Sequence, residues 1–294
     1  MFAEKKLKVG GVEINFAEGP ESGHPLVLLH GLPGRWQEFL PILPTLILQW
    51  HVYALDFRGQ GKSGRIPGQY RAEDYVTDVV EFLQQQFSAP VILYGQSAGG
   101  LVAINAAAEL PGLVKGVILG DSPMDMELLI TWMQSEGFQA YFSSLQEISR
   151  LKNYSIPEIA EEIADIPIRV PGQDAPVRYG DTPGLDSVRL QQLAMTLKPM
   201  APDVLEYHAT GRAVEFLAGF DLDAILAKIQ CPVLLLQGNP SLGGMMTDKA
   251  VEHITSILPG AEHALLKSAG HDLGMETWEV APLLRVVVNF LRLL

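Results

Sequence analysis

The sequence contains a single cysteine, Cys231, so an internal disulfide cannot form. One thiol is also too few for a cysteine-rich zinc site, and the histidines and acids lack H-x-x-x-H or similar metal-ligand spacing. The loop GQGKS lacks the spacing of a phosphate-binding P-loop. We therefore expect no metal and no cofactor, and a protein compatible with a reducing compartment.

Long apolar runs and excess positive charge are also missing. No stretch of about 18 apolar residues could span a bilayer. The start MFAEKKLKVG has lysines without the apolar region of a secretion signal. With 21 Lys and Arg against 34 Asp and Glu, the net charge of −13 disfavours binding to nucleic acid or anionic lipid. We expect a cytoplasmic protein with neither a nucleic-acid nor a membrane partner.

What the sequence does contain is an alternation of apolar runs and amphipathic segments. A chain of 294 residues with 48% hydrophobic residues can bury a large core. The runs PLVLLHG (25–31) and HVYALDFRG (51–59) are typical of strands buried on both faces of a parallel sheet. AEDYVTDVVEFLQQQF (72–87) has helical spacing. The alternation predicts an α/β fold with a doubly wound, mostly parallel eight-stranded sheet.

The alternation stops between residues 123 and 219, where helical segments and proline-punctuated loops replace the strands. It resumes at CPVLLLQG (231–238). We predict a core domain of residues 1–122 and 220–294, interrupted by a helical cap of residues 123–219. Because ligands bind at the carboxyl edge of such sheets, we expect this cap to lie over a binding site.

The segment VILYGQSAGGLVAINAAAEL (91–110) changes from strand-like to helix-like in its middle, where Ser97 stands between two glycines. GQSAG matches G-x-S-x-G, the nucleophile elbow, in which a sharp strand-to-helix turn exposes a serine hydroxyl. The flanking glycines remove side chains that would clash inside the turn. The helix that begins at Ala98 directs its N–H groups and its partial positive charge toward the same place.

With this motif the sequence resembles the α/β-hydrolase superfamily, and the resemblance covers nearly the whole chain. HGLPG (30–34) follows an early strand, as the oxyanion loop of the family does. DFRGQGKS (56–63) is similar to the family's loop after the next strand. SAGHDLGMET (268–277) places His271 just after the last strand, where the family has its catalytic histidine.

The resemblance implies a fold and a set of roles. Ser97 would be the nucleophile, and His271 would take its proton and later donate it to the leaving group. The backbone N–H groups of Leu32 and Ala98 would form the oxyanion hole. His30, Asp56 and Arg58 would shape the loops around the site.

The position of the acid departs from the family's common pattern. Most relatives place it after the strand equivalent to CPVLLLQG, where this sequence has Ser241. Some members, including certain haloalkane dehalogenases, take it from the end of the preceding strand, where this sequence has Asp121. We predict Asp121, with Asp248 and Asp125 as alternatives. Ser97 in place of an aspartate nucleophile argues against dehalogenation itself.

The cap is rich in aromatic and thioether side chains, especially in segments 126–145 and 190–217. These side chains either line an apolar pocket beneath a lid or form the core of the cap itself, and both interpretations stay open for each of them. The predicted substrate-binding residues are Trp36, Trp132, Phe138, Tyr141 and Tyr207.

The resulting hypothesis is a serine hydrolase that cleaves carboxylic esters of small to medium apolar substrates through an acyl-enzyme, as a monomer or homodimer. A first alternative is a cofactor-free C–C bond hydrolase of the keto-dienoate type. The cations that could bind its substrate's carboxylates are Arg35, Arg150, Arg169, Arg178 and Arg189. A second alternative is a ligand receptor built on the hydrolase fold.

Overall fold

The structure is a computed structural model that describes residues 2–169, 175–182 and 185–294. Its strands are β1 Ala3–Val9, β2 Val12–Glu18, β3 His24–Leu29, β4 Trp50–Leu55, β5 Val91–Gln96, β6 Val114–Gly120, β7 Pro167–Ile168, β8 Val177–Arg178, β9 Val233–Gly238 and β10 Glu262–Leu266. Eight of them form one sheet in the order β1-β2-β4-β3-β5-β6-β9-β10. β2 pairs antiparallel with β1 and β4, and the other neighbours are parallel. The predicted eight-stranded, mostly parallel sheet is confirmed.

Helices pack on both faces of this sheet. Among the described residues the α-helices are α1 Leu43–Leu46, α2 Ala72–Gln86, α3 Ala98–Glu109, α4 Met126–Met133, α5 Glu136–Ile148, α6 Ile156–Ala164, α7 Ser187–Leu197, α8 Glu206–Ala209, α9 Ala213–Phe216, α10 Leu222–Leu226, α11 Asp248–Ile257 and α12 Ala281–Leu291. Short 3-10 helices span Trp36–Phe39, Tyr179–Asp181, Pro202–Leu205 and Pro240–Leu242.

The central strands of the sheet are buried on both faces, as β3 shows. Val27 and Leu29 belong to the core cluster that contains the buried sides of α2 and α3. Leu26 and Leu28, which point to the opposite face, belong to the cluster that contains α1 and α12. Because side chains alternate between faces along a strand, two apolar layers require a continuous apolar run. Each fully buried Leu or Val contributes about 1.5–3 kcal/mol.

The helix α2 forms because its apolar residues share one face. Tyr75, Val79 and Phe82 recur at helical spacing and are all buried. At its start the carboxylate of Asp74 accepts a hydrogen bond from the backbone N–H of Arg71 at 2.8 Å, which satisfies one of the free N–H groups of this turn. The buried face of α2 packs on α3, which follows the nucleophile elbow motif.

Residues 123–219 hold helices α4 to α9 and a two-stranded ribbon of β7 and β8. β6 ends at Gly120 and β9 begins at Val233, so within the described residues no strand of the main sheet lies between them. The buried side chains of these helices join the same apolar cluster as α2 and α3. The division into core and cap stays a prediction.

No helix of the described part of the chain combines the length and the apolar character that crossing a membrane requires.

We expect the buried histidine of α8 to make the stability of the folded protein depend on pH. His208 is 7% exposed and lies against the rings of Phe142 and Phe216, and burial lowers its pKa to about 3. An unfolded histidine titrates near pH 6.5. Below that pH the unfolded chain therefore binds a proton at His208, whereas the folded chain does not until the pH approaches 3. The contribution of neutral His208 to stability is complete above pH 6.5 and is lost as the pH falls toward 3.

When the pH falls from 7.5 to 5, we expect the unfolding free energy of the parent to decrease by about 2 kcal/mol more than that of the variant His208→Phe, which has no imidazole to protonate. Urea unfolding at both pH values measures this difference. An equal loss in the parent and in the variant would contradict it.

Candidate active site

Ser97 stands on a strained turn between β5 and α3. Its backbone has φ 54 and ψ −123, a conformation that a residue with a side chain adopts at a cost. The turn brings backbone segments so close that a Cβ atom on Gly95 would lie 2.2 Å from the carbonyl oxygen of Gly99. A Cβ atom on Gly99 would lie 2.2 Å from the carbonyl oxygen of Leu29. Both elbow positions therefore require glycine, as the motif predicts.

The structure brings Ser97, His271 and Asp121 together, although they are far apart in the sequence. The Oγ of Ser97 lies 2.9 Å from Nε2 of His271, and Nδ1 of His271 lies 2.7 Å from Oδ2 of Asp121. The carboxylate accepts a hydrogen bond from Nδ1–H, so Nε2 is left without a proton and accepts a hydrogen bond from the serine hydroxyl. This is the arrangement that a serine nucleophile requires.

Asp121 is completely buried, and backbone groups hold its carboxylate. Oδ1 accepts hydrogen bonds from the N–H groups of Gly238 at 2.8 Å and Met246 at 3.1 Å. Oδ2 accepts one from the N–H of Met245 at 2.7 Å. These donors flank the loop that carries Ser241, whose hydroxyl binds the Asn239 side chain. The loop that carries the acid in the common family pattern thus supplies N–H groups to Asp121.

The two alternative acids lie elsewhere. Asp125 caps the start of α4 by accepting the N–H of Leu128 at 3.2 Å, and it pairs with Lys249 at 3.3 Å. Asp248 accepts a hydrogen bond from the side-chain amide of Gln237 at 2.7 Å. The contacts of both are structural, whereas Asp121 is the carboxylate placed against the imidazole.

The oxyanion loop packs directly beside the elbow, since a Cβ atom on Gly31 would lie 3.2 Å from Cβ of Ser97. Side chains accept most of the N–H groups in this loop: Glu38 from Gly31 and Arg35, Gln60 from Gly34, and Asp56 from Trp36. Pro33 has no N–H. In the described structure, the N–H of Leu32 has no hydrogen-bond acceptor, unlike the N–H groups of Gly31, Gly34, Arg35 and Trp36.

Ala98 is the first residue of α3, so its N–H has no intrahelical acceptor. Leu32 follows Gly31, which packs against Ser97, and Ala98 follows Ser97 in the chain, so two N–H groups without a backbone acceptor belong to segments beside the serine. A role of these two N–H groups as the oxyanion hole stays a prediction.

Two buried groups fix the loops that were predicted to shape the site. The ring of His30 accepts the N–H of Phe57 at Nε2, 3.0 Å away, and its Nδ1–H donates to the carbonyl of Gly31 at 2.7 Å. Burial lowers the pKa of His30, which keeps the ring neutral. The guanidinium of Arg58 makes two 2.6 Å hydrogen bonds to the carboxylate of Asp78 in α2.

The predicted substrate-binding residues are distributed over two places. The ring of Trp36 lies 6.2 Å from that of Phe2, and its indole N–H donates to Glu4 of β1. The rings of Trp132 and Phe138 are 5.7 Å apart within the cap.

Tyr141 lies 5.3 Å from Tyr179, and Tyr207 lies under the guanidinium of Arg212. The contacts of these two tyrosines, like those of Trp132 and Phe138, are with other residues of the cap. A role of any of the five in substrate binding stays a prediction.

One cation of the cap reaches the loop of His271. The Nε of Arg189 in α7 lies 3.3 Å from a carboxylate oxygen of Glu276. Arg178 is paired with acids of the cap itself, Asp165 and Glu161. In the described part of the chain, no group of three His, Cys, Asp or Glu side chains could hold a metal ion.

The sequence reasoning missed Gln96, the residue before the nucleophile. Its side chain is buried, and its amide N–H donates to the backbone carbonyl of His271 at 2.7 Å. The hydroxyl of Tyr94 donates to its amide oxygen at 3.2 Å, which fixes the orientation of the amide. A lone polar residue at the end of the buried run VILYGQ is the signal that could have found it.

Gln96 therefore connects the strand of Ser97 to the loop of His271. We expect Gln96→Leu to lower kcat for p-nitrophenyl acetate by about 10-fold or more with little change in KM, because a misplaced imidazole reacts poorly. Gln96→Glu should recover activity toward acid pH, where a protonated carboxyl can donate to the same carbonyl. Gln146→Leu is the matched control, since the Gln146 amide donates to the carbonyl of Pro202 within the cap. Equal losses in Gln96→Leu and Gln146→Leu would contradict the role of Gln96.

Comparison with known proteins agrees with the fold. A family model described as alpha/beta hydrolase fold matches residues 24–277. A 2-(acetamidomethylene)succinate hydrolase of Mesorhizobium japonicum is 23% identical over 99% of this chain and 95% of its own length. A soluble epoxide hydrolase of Corynebacterium is 35% identical, but over 37% of this chain and 42% of its own length.

Solved structures show the same fold. The N-formylmaleamic acid deformylase of Pseudomonas putida superposes with a TM-score of 0.72 at 18% identity, over 97% of this chain and all of that one (100%). A thermophilic esterase of Thermogutta terrifontis gives a TM-score of 0.68 at 21% identity, over 99% and 98% of the two chains. The family model, the sheet order and the nucleophile elbow lead to one conclusion: this chain belongs to the alpha/beta hydrolase fold family.

Proposed function

We propose that this protein is a serine hydrolase that cleaves carboxylic esters of small, largely apolar substrates. The observation that carries the proposal is the continuous chain of hydrogen bonds from Ser97 through His271 to the buried carboxylate of Asp121. Family membership and full-length similarity to a protein named as a hydrolase support hydrolysis as the general class of reaction. We propose the ester class because the cavity beside Leu32 and Ala98 is lined by uncharged, largely apolar side chains, which suit an uncharged acyl group.

In the first half of the proposed reaction, Ser97 Oγ attacks the carbonyl carbon of the ester while its proton passes to Nε2 of His271. The carbonyl electron pair moves onto the oxygen, which accepts hydrogen bonds from the N–H groups of Leu32 and Ala98. When the carbonyl re-forms, the bond to the alcohol oxygen breaks. The alcohol leaves with the proton from His271, and the acyl group stays on Ser97.

In the second half, a water molecule attacks the acyl carbon and gives its proton to His271. The carboxylic acid leaves as the imidazolium returns a proton to Ser97 Oγ. Asp121 stabilises the imidazolium in both halves and holds the tautomer that leaves Nε2 free. Its three backbone donors keep the carboxylate from rotating away.

We further propose that residues 123–219 act as a cap over the cleft. Two contacts support this role: Arg189 of α7 reaches Glu276, near His271, and Phe216 of α9 lies beside Leu32 and Ala98. We propose a monomer or homodimer acting on a small-molecule ester in the cytoplasm.

A second candidate is the hydrolysis of an unsaturated substrate that bears carboxylates. Arg189 pairs with Glu276, in the segment after His271, and is the cation that we propose to bind such an anion. The full-length relative named 2-(acetamidomethylene)succinate hydrolase favours this candidate, and a partial match to a substituted hexadienoic acid hydrolase favours its C–C bond form. The test compares 2-(acetamidomethylene)succinate and a keto-substituted hexadienoic acid with p-nitrophenyl esters. Turnover of one of the two acids without turnover of the esters would favour this candidate over the ester hydrolase. Very slow turnover of all of them would instead favour a ligand receptor.

The nucleophile is tested by covalent labelling. A fluorophosphonate probe should modify Ser97 stoichiometrically, because the hydroxyl is activated by His271. Peptide mapping by mass spectrometry locates the label, and Ser97→Ala should abolish both labelling and turnover. Labelling of a different serine, with turnover intact in Ser97→Ala, would contradict the proposal.

The acid is tested by isosteric substitutions. We expect Asp121→Asn to lower kcat for p-nitrophenyl acetate by about 10³- to 10⁴-fold, because an amide favours the wrong histidine tautomer. Asp248→Asn and Asp125→Asn should stay within about threefold of the parent, because both side chains make structural contacts elsewhere. Melting temperatures separate misfolding from lost chemistry. A folded Asp121→Asn with parental kcat would show that another group assists His271.

A further inference from the structure

A small cavity lies beside the oxyanion loop and the start of α3. Its walls include Leu32, Ala98, Leu101 and Val102, together with the rings of Phe57 and Phe216. The cavity volume is about 10 Å³, which is just enough to admit one group of the size of a water molecule.

The position of the cavity relates it to the proposed reaction. Leu32 and Ala98 supply both the N–H groups of the oxyanion hole and two walls of the cavity. A carbonyl oxygen held between those N–H groups would place the acyl carbon beside Leu32 and Ala98, the two residues through which the cavity adjoins the proposed oxyanion hole. The apolar walls suit an alkyl substituent and offer no charged partner.

We propose that this cavity is the acyl subsite and that it selects acyl groups of one or two carbons, formyl or acetyl, over longer chains. The inference rests on the proposed serine hydrolase and specifies its substrate class. Its physical basis is size, since a longer chain would have to displace packed side chains.

The walls are held in place from behind. The ring of Phe57 packs 4.6 Å from the His30 ring and 5.2 Å from the Tyr75 ring. Ala98, Leu101 and Val102 follow one another at the spacing of one helix face on α3. These walls belong to the core around the sheet, so a change of their positions would disturb the oxyanion loop or α3.

Phe216 is the wall that the cap contributes. It is 4% exposed, and its ring lies edge-on to the His208 ring at 4.7 Å. Phe142 packs against the same histidine at 5.1 Å and is also buried, but it lies outside the walls of the cavity. Phe142→Ala therefore removes a comparable buried ring from the cap and serves as the matched control for Phe216→Ala.

The test compares kcat/KM for p-nitrophenyl acetate, butyrate and hexanoate in the parent, Phe216→Ala and Phe142→Ala. We expect the parent to prefer acetate over butyrate by about 10-fold or more, since a pocket that lacks room for added methylenes discriminates at this level. Phe216→Ala should lower the acetate-to-butyrate ratio by about 10-fold, and Phe142→Ala should preserve the parental ratio. Val102→Ala enlarges the same cavity from the α3 side and should shift the ratio in the same direction, which provides a second variant if Phe216→Ala does not fold.

The labelling rates of Ser97 with methyl- and butylphosphonofluoridate measure the same ratio without ester turnover. Equal labelling rates for short and long chains in the parent would contradict the proposed acyl subsite but not the proposed serine hydrolase. An equal shift in Phe142→Ala and Phe216→Ala would also overturn it. Failure of Ser97 to react with any ester or phosphonate would contradict the proposed function, and the inference would fall with it.

Discussion

The structure around the site depends on one buried carboxylate. Burial of a charge is costly unless hydrogen bonds replace the lost water, and Asp121 is fully buried. Three backbone N–H groups and the ring of His271 supply those bonds. Because the donors come from the last residue of β9, the loop after β9 and the loop after β10, while the acid follows β6, the carboxylate fixes three strand ends relative to one another.

The remaining parts of the site are fixed in the same way, by hydrogen bonds between side chains and backbone groups. Gln96 holds the carbonyl of His271. Glu38, Gln60 and Asp56 accept most N–H groups of the oxyanion loop. The N–H of Leu32 is thereby left without an acceptor in this loop, which is what the proposed oxyanion hole requires.

The sheet was predictable from local patterns, because apolar runs ending in glycine identified the strands. The elbow motif identified Ser97, and the resemblance to the α/β-hydrolase superfamily identified His271 and Asp121. The contacts of Gln96, Phe216 and the ring of Trp36 were not predictable, because each depends on packing between segments distant in the sequence. Periodicity indicates that Phe216 is buried, but not that it borders a cavity beside Ala98.

The most direct test of the central claim is the proton resonance of the His271 ring. A strong hydrogen bond from Nδ1 to a buried carboxylate moves that proton far downfield in the NMR spectrum. We predict such a resonance in the parent and in Asp248→Asn, and its loss in Asp121→Asn and His271→Ala. A downfield resonance that persists in Asp121→Asn would show that the imidazole has another partner, and the account built on the buried carboxylate would be wrong.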